Sequence, residues 1–261
     1  MKNKEFIPVI SIIVIVLVLL GMAFLLIHKS VSSKQEFVSS PDTIEVYITE
    51  ENRDVIVESS NDDKVHITYY GNGKSDAPRE ELGQVVYKSK HKSSIFGFIF
   101  NTSSKKTVVK VPKNILVLNV LNENGDSTIK SINNKDLAIT VNSENGDVSI
   151  EDIKVYYTEI NLDNGDASIK ADLHGLIANS QNGDIHAKLK GEESDYSREF
   201  KEDKRYYNVR TENGDAKVDF KGAVNGPGLV QPELKPYGTS LVAPEVHTKP
   251  EYKAPKSQGT F

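Results

Sequence analysis

The chain has 261 residues and a formal charge of −5, with 32 basic side chains interspersed among 37 acidic ones. No basic field is present to recruit nucleic acid, so a nucleic-acid partner is not expected. The absence of cysteine excludes disulfides, thiolate nucleophiles, zinc–cysteine sites and cysteine-linked lipids.

Residues 6–27 (FIPVISIIVIVLVLLGMAFLLI) are 22 consecutive uncharged residues. As a helix they span ~33 Å, enough to cross a hydrocarbon core of ~30 Å. Pro8 sits in the first turn, where a missing N–H costs little. A secretory signal peptide would end in a small-x-small cleavage site, whereas His28 and Lys29 follow here at once. Residues 1–29 are therefore expected to be a short head and an uncleaved transmembrane anchor, with the lipid bilayer as partner through 6–27. Lys2, Lys4 and the α-amino group on one side, against Lys29 and Lys34 on the other, lean toward an inside N-terminus. That makes a single-pass protein of the cell membrane with residues 30–261 extracytoplasmic. Residues 30–42 are polar and serine-rich and read as a linker.

Between 43 and 112 the sequence predicts strands at 43–49, 54–59, 64–70, 85–90, 95–100 and 107–111, separated by turn-formers. The stretch 88–106 (KSKHKSSIFGFIFNTSSKK) sets apolar residues between basic flanks. A core strand with solvated ends is expected there in preference to a membrane-dipping loop.

A tripeptide then recurs: Asn124-Gly125-Asp126, Asn145-Gly146-Asp147, Asn164-Gly165-Asp166, Asn182-Gly183-Asp184 and Asn213-Gly214-Asp215. The glycines are spaced by 21, 19, 18 and 31 residues. A period near 20 signals repeated supersecondary units. Four residues before each asparagine stand Val120, Val141, Ile160, Ala178 and Val209; five after it stand Ile129, Ile150, Ile169, Ala187 and Val218. Polar residues fall between, so apolar side chains alternate on both sides of each turn, as in half-buried strands. The expected turn places Asn and Gly in the left-handed region and lets Asp cap nearby N–H groups. The preferred fold is an all-β solenoid, one coil per repeat, behind the single transmembrane helix. The alternative is an antiparallel hairpin meander, in which each Asn-Gly is a two-residue turn.

The β-repeat domain is placed at 43–221. A charged insertion at 190–205 (KGEESDYSREFKEDKR) interrupts the period, and the six prolines after residue 222 make 222–261 an extended, largely disordered tail.

An apolar N-terminal span, a β segment ending in Val109-Lys110-Val111-Pro112, and tandem Asn-Gly-Asp units each followed by alternating apolar residues resemble the LiaG-like, adhesin-type β-strand-repeat family of bacterial envelope proteins. The resemblance covers roughly 43–221. It implies a β-solenoid on the outer face of a bacterial membrane, linked to envelope stress or adhesion, and it carries over no catalytic residue.

Chemical motifs are sparse. No nucleophile elbow, phosphate loop or His-Glu-x-x-His helix occurs. His174 and His186 flank one repeat, but two histidines without a third ligand make a poor zinc site. The column Asp126, Asp147, Asp166, Asp184 and Asp215 could attract calcium, yet one carboxylate per unit falls short of six to eight oxygens, so turn capping is preferred. No catalytic residue, cofactor or metal ligand is assigned. The expected function is a non-enzymatic envelope scaffold or adhesin-like module whose partner is an envelope protein or glycan. The alternatives are a polysaccharide-active β-helix enzyme and a calcium-stabilised adhesin.

Overall fold

The structure, a computed structural model, describes residues 16–18, 33–71, 77–89 and 105–221. The anchor 6–27, apart from helical residues 16–18, lies outside the described residues, as do 95–100 and the tail 222–261. Among the described residues no helix is long and apolar enough to cross a membrane.

The described chain is all-β. Its strands are β1 (Ser33–Val38), β2 (Glu45–Glu50), β3 (Val55–Ser59), β4 (His66–Gly71), β5 (Arg79–Glu81), β6 (Gln84–Lys88), β7 (Thr107–Val111), β8 (Val117–Asn122), β9 (Ser127–Lys130), β10 (Asn133–Asn145), β11 (Val148–Asn164), β12 (Ala167–Asn182), β13 (Ile185–Lys190), β14 (Tyr196–Ser197), β15 (Arg205–Asn213) and β16 (Ala216–Lys221). The alternation read from the sequence is kept: β2 and β8 bury every second residue, as do the long strands β10 to β12 apart from their bends.

Successive repeats pair in parallel. Val141 lies beside Val120 on one side and Ile160 on the other; Ile160 lies beside Ala178, and Ala178 beside Val209. Past the turn, Ile129, Ile150, Ile169, Ala187 and Val218 align in the same way. A hairpin meander would instead have set Val141 against Ile150 in an antiparallel pair, so the parallel register overturns that alternative. Each coil runs along one part of a single 16-stranded sheet, turns at Asn-Gly-Asp, runs along a second part of the same sheet, and bends again into the next coil. The sheet curls over on itself, and the side chains it encloses form one core from Val46 to Tyr196.

The second bend is a bulge rather than a break, which is why β11 and β12 run on for 17 and 16 residues. Asp152 takes φ 50° where the register slips between Glu151 and Ile153, and Ser131 takes φ 56° at the equivalent bend. Asp and Ser tolerate this region better than a β-branched residue would.

Strands β1 to β7 depart from chain order. β2–β3 forms one coil, and β8–β9 stacks on one side of it. The later pair β6–β7 stacks on the other side. Antiparallel strands then close this end: β4 and β1 beyond β7, and β5 beyond β6. Within the stretch read as linker, Ser33–Val38 is thus a paired strand, with Phe37 packed against the core. Its apolar content is low, and the period-2 signal is correspondingly faint.

Candidate functional site

The repeated corner is the most ordered polar feature. Each asparagine side chain reaches one coil back. Asn145 Nδ2 donates to Asn124 Oδ1 at 3.2 Å, Asn164 to Asn145 at 3.2 Å, Asn182 to Asn164 at 3.0 Å and Asn213 to Asn182 at 3.1 Å. The same amides also donate to the backbone carbonyls of Glu123, Glu144, Asp163 and Gln181. Each aspartate does the converse. The backbone N–H of Asp147, Asp166, Asp184 and Asp215 donates to the Oδ1 of the aspartate one coil earlier, at 2.8 to 3.0 Å. The carboxylates therefore cap backbone donors across coils, which places their negative charge against N–H dipoles.

The glycines have a different cause from the one expected. Only Gly165 and Gly183 have positive φ, at 144° and 149°, and none of the five asparagines does. What all five share is closeness. A Cβ on Gly125, Gly146, Gly165, Gly183 or Gly214 would overlap the carbonyl of the corner beneath it. Stacked corners leave no room for a side chain, so glycine is required by packing at every level.

Sequence reasoning missed one member. Asn124 Nδ2 donates to Glu51 O at 2.9 Å and approaches Asn52 Oδ1 at 3.5 Å, while Asp126 N–H donates to Asp54 Oδ1 at 3.3 Å. Residues 51–54 (ENRD) form a sixth corner with Arg53 in the glycine position. The signal was the shared Glu-Asn-x-Asp frame of 123–126, 144–147 and 212–215. Arg53, at 4% exposure, takes the glycine position there. Its guanidinium turns inward and donates to Tyr70 O at 2.8 Å.

Residues just before the asparagines add charge. Glu123, Glu144, Asp163 and Glu212 project along the same corner, which becomes an acidic ridge. Among the described residues no group of three or more His, Cys, Asp or Glu is arranged to hold a metal ion.

A second cluster forms where the insertion joins the stack. Asp172 accepts from Lys154 Nζ at 2.8 Å and from Arg205 Nη1 at 2.9 Å. Burial alone would raise its pKa, but the hydrogen bonds and charges of Lys154 and Arg205 outweigh burial and hold it below the ordinary value. Arg205 also lies 5.6 Å from the Tyr196 ring centroid. Tyr196 Oη donates to Lys190 O at 2.6 Å, and its ring packs on Phe220 and Tyr207 at 4.8 and 5.8 Å. The charged insertion is thus pinned by one buried tyrosine and one arginine–aspartate pair. Carboxylate and cations meet here, as a polysaccharide-cleaving site would need, but Asp172 is already engaged by both partners.

The two histidines considered for zinc are not brought together. His174 stacks on Tyr156 with ring centroids 5.2 Å apart, whereas His186 pairs with Asp219 at 3.0 Å beside a shallow depression lined by Glu151, Ser168, Lys170 and Lys188.

A family model described as Toastrack DUF4097 matches residues 43–224. Two solved structures are similar in part. One is a candidate lipid binding protein from Parabacteroides distasonis, at 14% identity and TM-score 0.32, covering 74% of this chain and 97% of that one. The other is a candidate cell adhesion protein from Clostridium sporogenes, at 8% identity and TM-score 0.31, covering 73% and 100%. At that level of similarity neither relationship bears on function. No curated protein matches the sequence.

Proposed function

From the premise that this chain belongs to the Toastrack DUF4097 family, we infer that it is a membrane-anchored, extracytoplasmic scaffold with an adhesin-like, non-enzymatic binding role. The carrying observation is directional. The coils stack in one line, and β1 lies at the outer edge of the end that is closed by antiparallel strands. The apolar segment 6–27 stops only five residues before Ser33. Residues 28–32 reach at most ~18 Å, so the capped end stands next to the bilayer and the coils lead away from it. Seven coils at ~4.8 Å each make a rod of ~34 Å. Stacks of this kind offer long, rigid, repetitive faces, which suit binding an extended partner. A bacterial envelope protein or glycan fits such a face, in line with the LiaG-like resemblance.

The test is topological first. Protease added to intact cells is expected to remove the 33–221 domain and leave a membrane-embedded N-terminal fragment. Full protection of the domain would reverse the orientation, and a mature N-terminus near residue 30 would remove the anchor. Isolated envelope material is then expected to retain the protease-released domain; a domain that remains wholly in the supernatant would refute the binding role.

A further inference from the structure

The two ends of the stack are finished differently. Strands β1, β4 and β5 close the first end. At the other, β16 pairs with β13 and with no other strand among the described residues, and β14 covers β15 only at Arg205 and Tyr206. In the preceding coil Leu176, Ala178, Ala187 and Leu189 are all at 1% exposure or less. Their counterparts Tyr207, Val209, Val218 and Phe220 are only partly buried. Tyr196 covers Tyr207 and Phe220. Val209 and Val218, nearer the Asn-Gly-Asp corner, lie outside that cover.

The edge also has unused backbone groups. The carbonyls of Asp215 and Lys221 accept from Ile185 and Gly191 of the previous coil. Successive residues of a strand point their N–H and C=O to opposite sides, so those of Ala216, Val218 and Phe220 face the open end. Such an edge is a template for one more strand.

We propose that this strand is residues 237–243 of the same chain. Forty residues follow Lys221, and 237–243 (YGTSLVA) is the longest stretch among them free of proline. It is uncharged and matches the six-residue length of β16. Its alternation puts Tyr237, Thr239, Leu241 and Ala243 on one side, over Val218 and Val209. The 15 residues between can span up to ~50 Å, ample to return along a strand of ~20 Å. A second copy is the weaker occupant. The end of a coil measures ~25 by ~10 Å, or a few hundred Å², against roughly 800 Å² per partner in a stable interface. A tethered segment needs no such area, because its effective concentration is in the ~mM range.

The experiment is residue-resolved amide exchange on the full chain in detergent micelles. In the parent, Val218 and Phe220 are expected to exchange at least ~tenfold more slowly than the exposed loop at 201–203. Leu241→Asp, on the core side of the added strand, is expected to erase that difference, whereas Val242→Asp, on its solvent side, keeps it. Unprotected amides in the parent would overturn the proposal. Protection that survives Leu241→Asp would also overturn it. If that surviving protection grew with protein concentration, the occupant would be a second copy.

Discussion

Asn164 sits in the middle of the asparagine ladder and offers the sharpest test of what holds the coils together. Its side chain donates to Glu144 O at 3.3 Å and to Asn145 Oδ1 at 3.2 Å, and it accepts from Asn182 at 3.0 Å. Asn164→Ala removes all three. At ~0.5–1.5 kcal/mol net per bond, and toward the low end because water replaces partners on an exposed side chain, the cost is ~1.5–3 kcal/mol. Asn213, in the last coil among the described residues, makes two such donations and receives none in the ladder from another described residue. Asn213→Ala should therefore cost ~1–2 kcal/mol. Asn164→Asp is the discriminating variant. It keeps the acceptor for Asn182 but loses both donations, and it turns a carboxylate toward two acceptor oxygens. It should cost at least as much as alanine. If asparagine were there only as a turn-former, aspartate would be an acceptable replacement and alanine the worse one. Urea unfolding followed by far-ultraviolet circular dichroism measures the shifts. Exchange at Val141 and Ala178, which flank Ile160 of the same coil as Asn164, reports whether damage spreads to both neighbouring coils, as nearest-neighbour coupling requires. A cost for Asn164→Asp below ~0.5 kcal/mol, the noise level of an ordinary surface change, would refute the ladder argument.

Gly183→Ala forces a Cβ against the Gly165 carbonyl at φ 149°; a loss of at least ~1–3 kcal/mol is expected, and an unchanged melting temperature would contradict the close-stacking account. Gly175→Ala meets the movable Tyr157 ring at 2.7 Å, so its melting temperature should fall less than that of Gly183→Ala. Asp172→Asn should lower the urea midpoint at neutral pH. Because the folded-state pKa of Asp172 is lowered, its contribution is present above the unfolded value of ~3.9 and is lost as pH falls through the lower folded value. Parent and variant midpoints should therefore converge below about pH 4, and a constant gap down to acid pH would rule out the ion pairs as its source. The aspartates at the corners cap backbone N–H groups, so a calcium chelator should leave the melting temperature within a few degrees; a larger drop would assign them to metal binding.

Much of this fold was legible in the sequence. The recurring Asn-Gly-Asp and the flanking apolar alternation marked the corners, the inward residues and the all-β class, because local turn chemistry and period-2 burial are imposed residue by residue. The same pattern could not choose between coil and hairpin. Val120 and Ile129 flank one turn, Val141 and Ile150 the next, and both architectures bury these residues alike. Only the parallel register decided it, since backbone hydrogen bonds to the neighbouring coil are tertiary contacts. The purpose of each corner residue was likewise hidden. Asparagine is there for a ladder and glycine for lack of room, and both reasons exist only once another corner lies beneath. The sixth corner at 51–54 was missed because Arg53 stands where the other five corners carry glycine, which breaks the tripeptide. The order of the first coils was beyond sequence reasoning altogether: β6–β7 stacks outside β2–β3 although it comes later, because strand neighbours are set by which edge remains open as the chain returns, and not by distance along it.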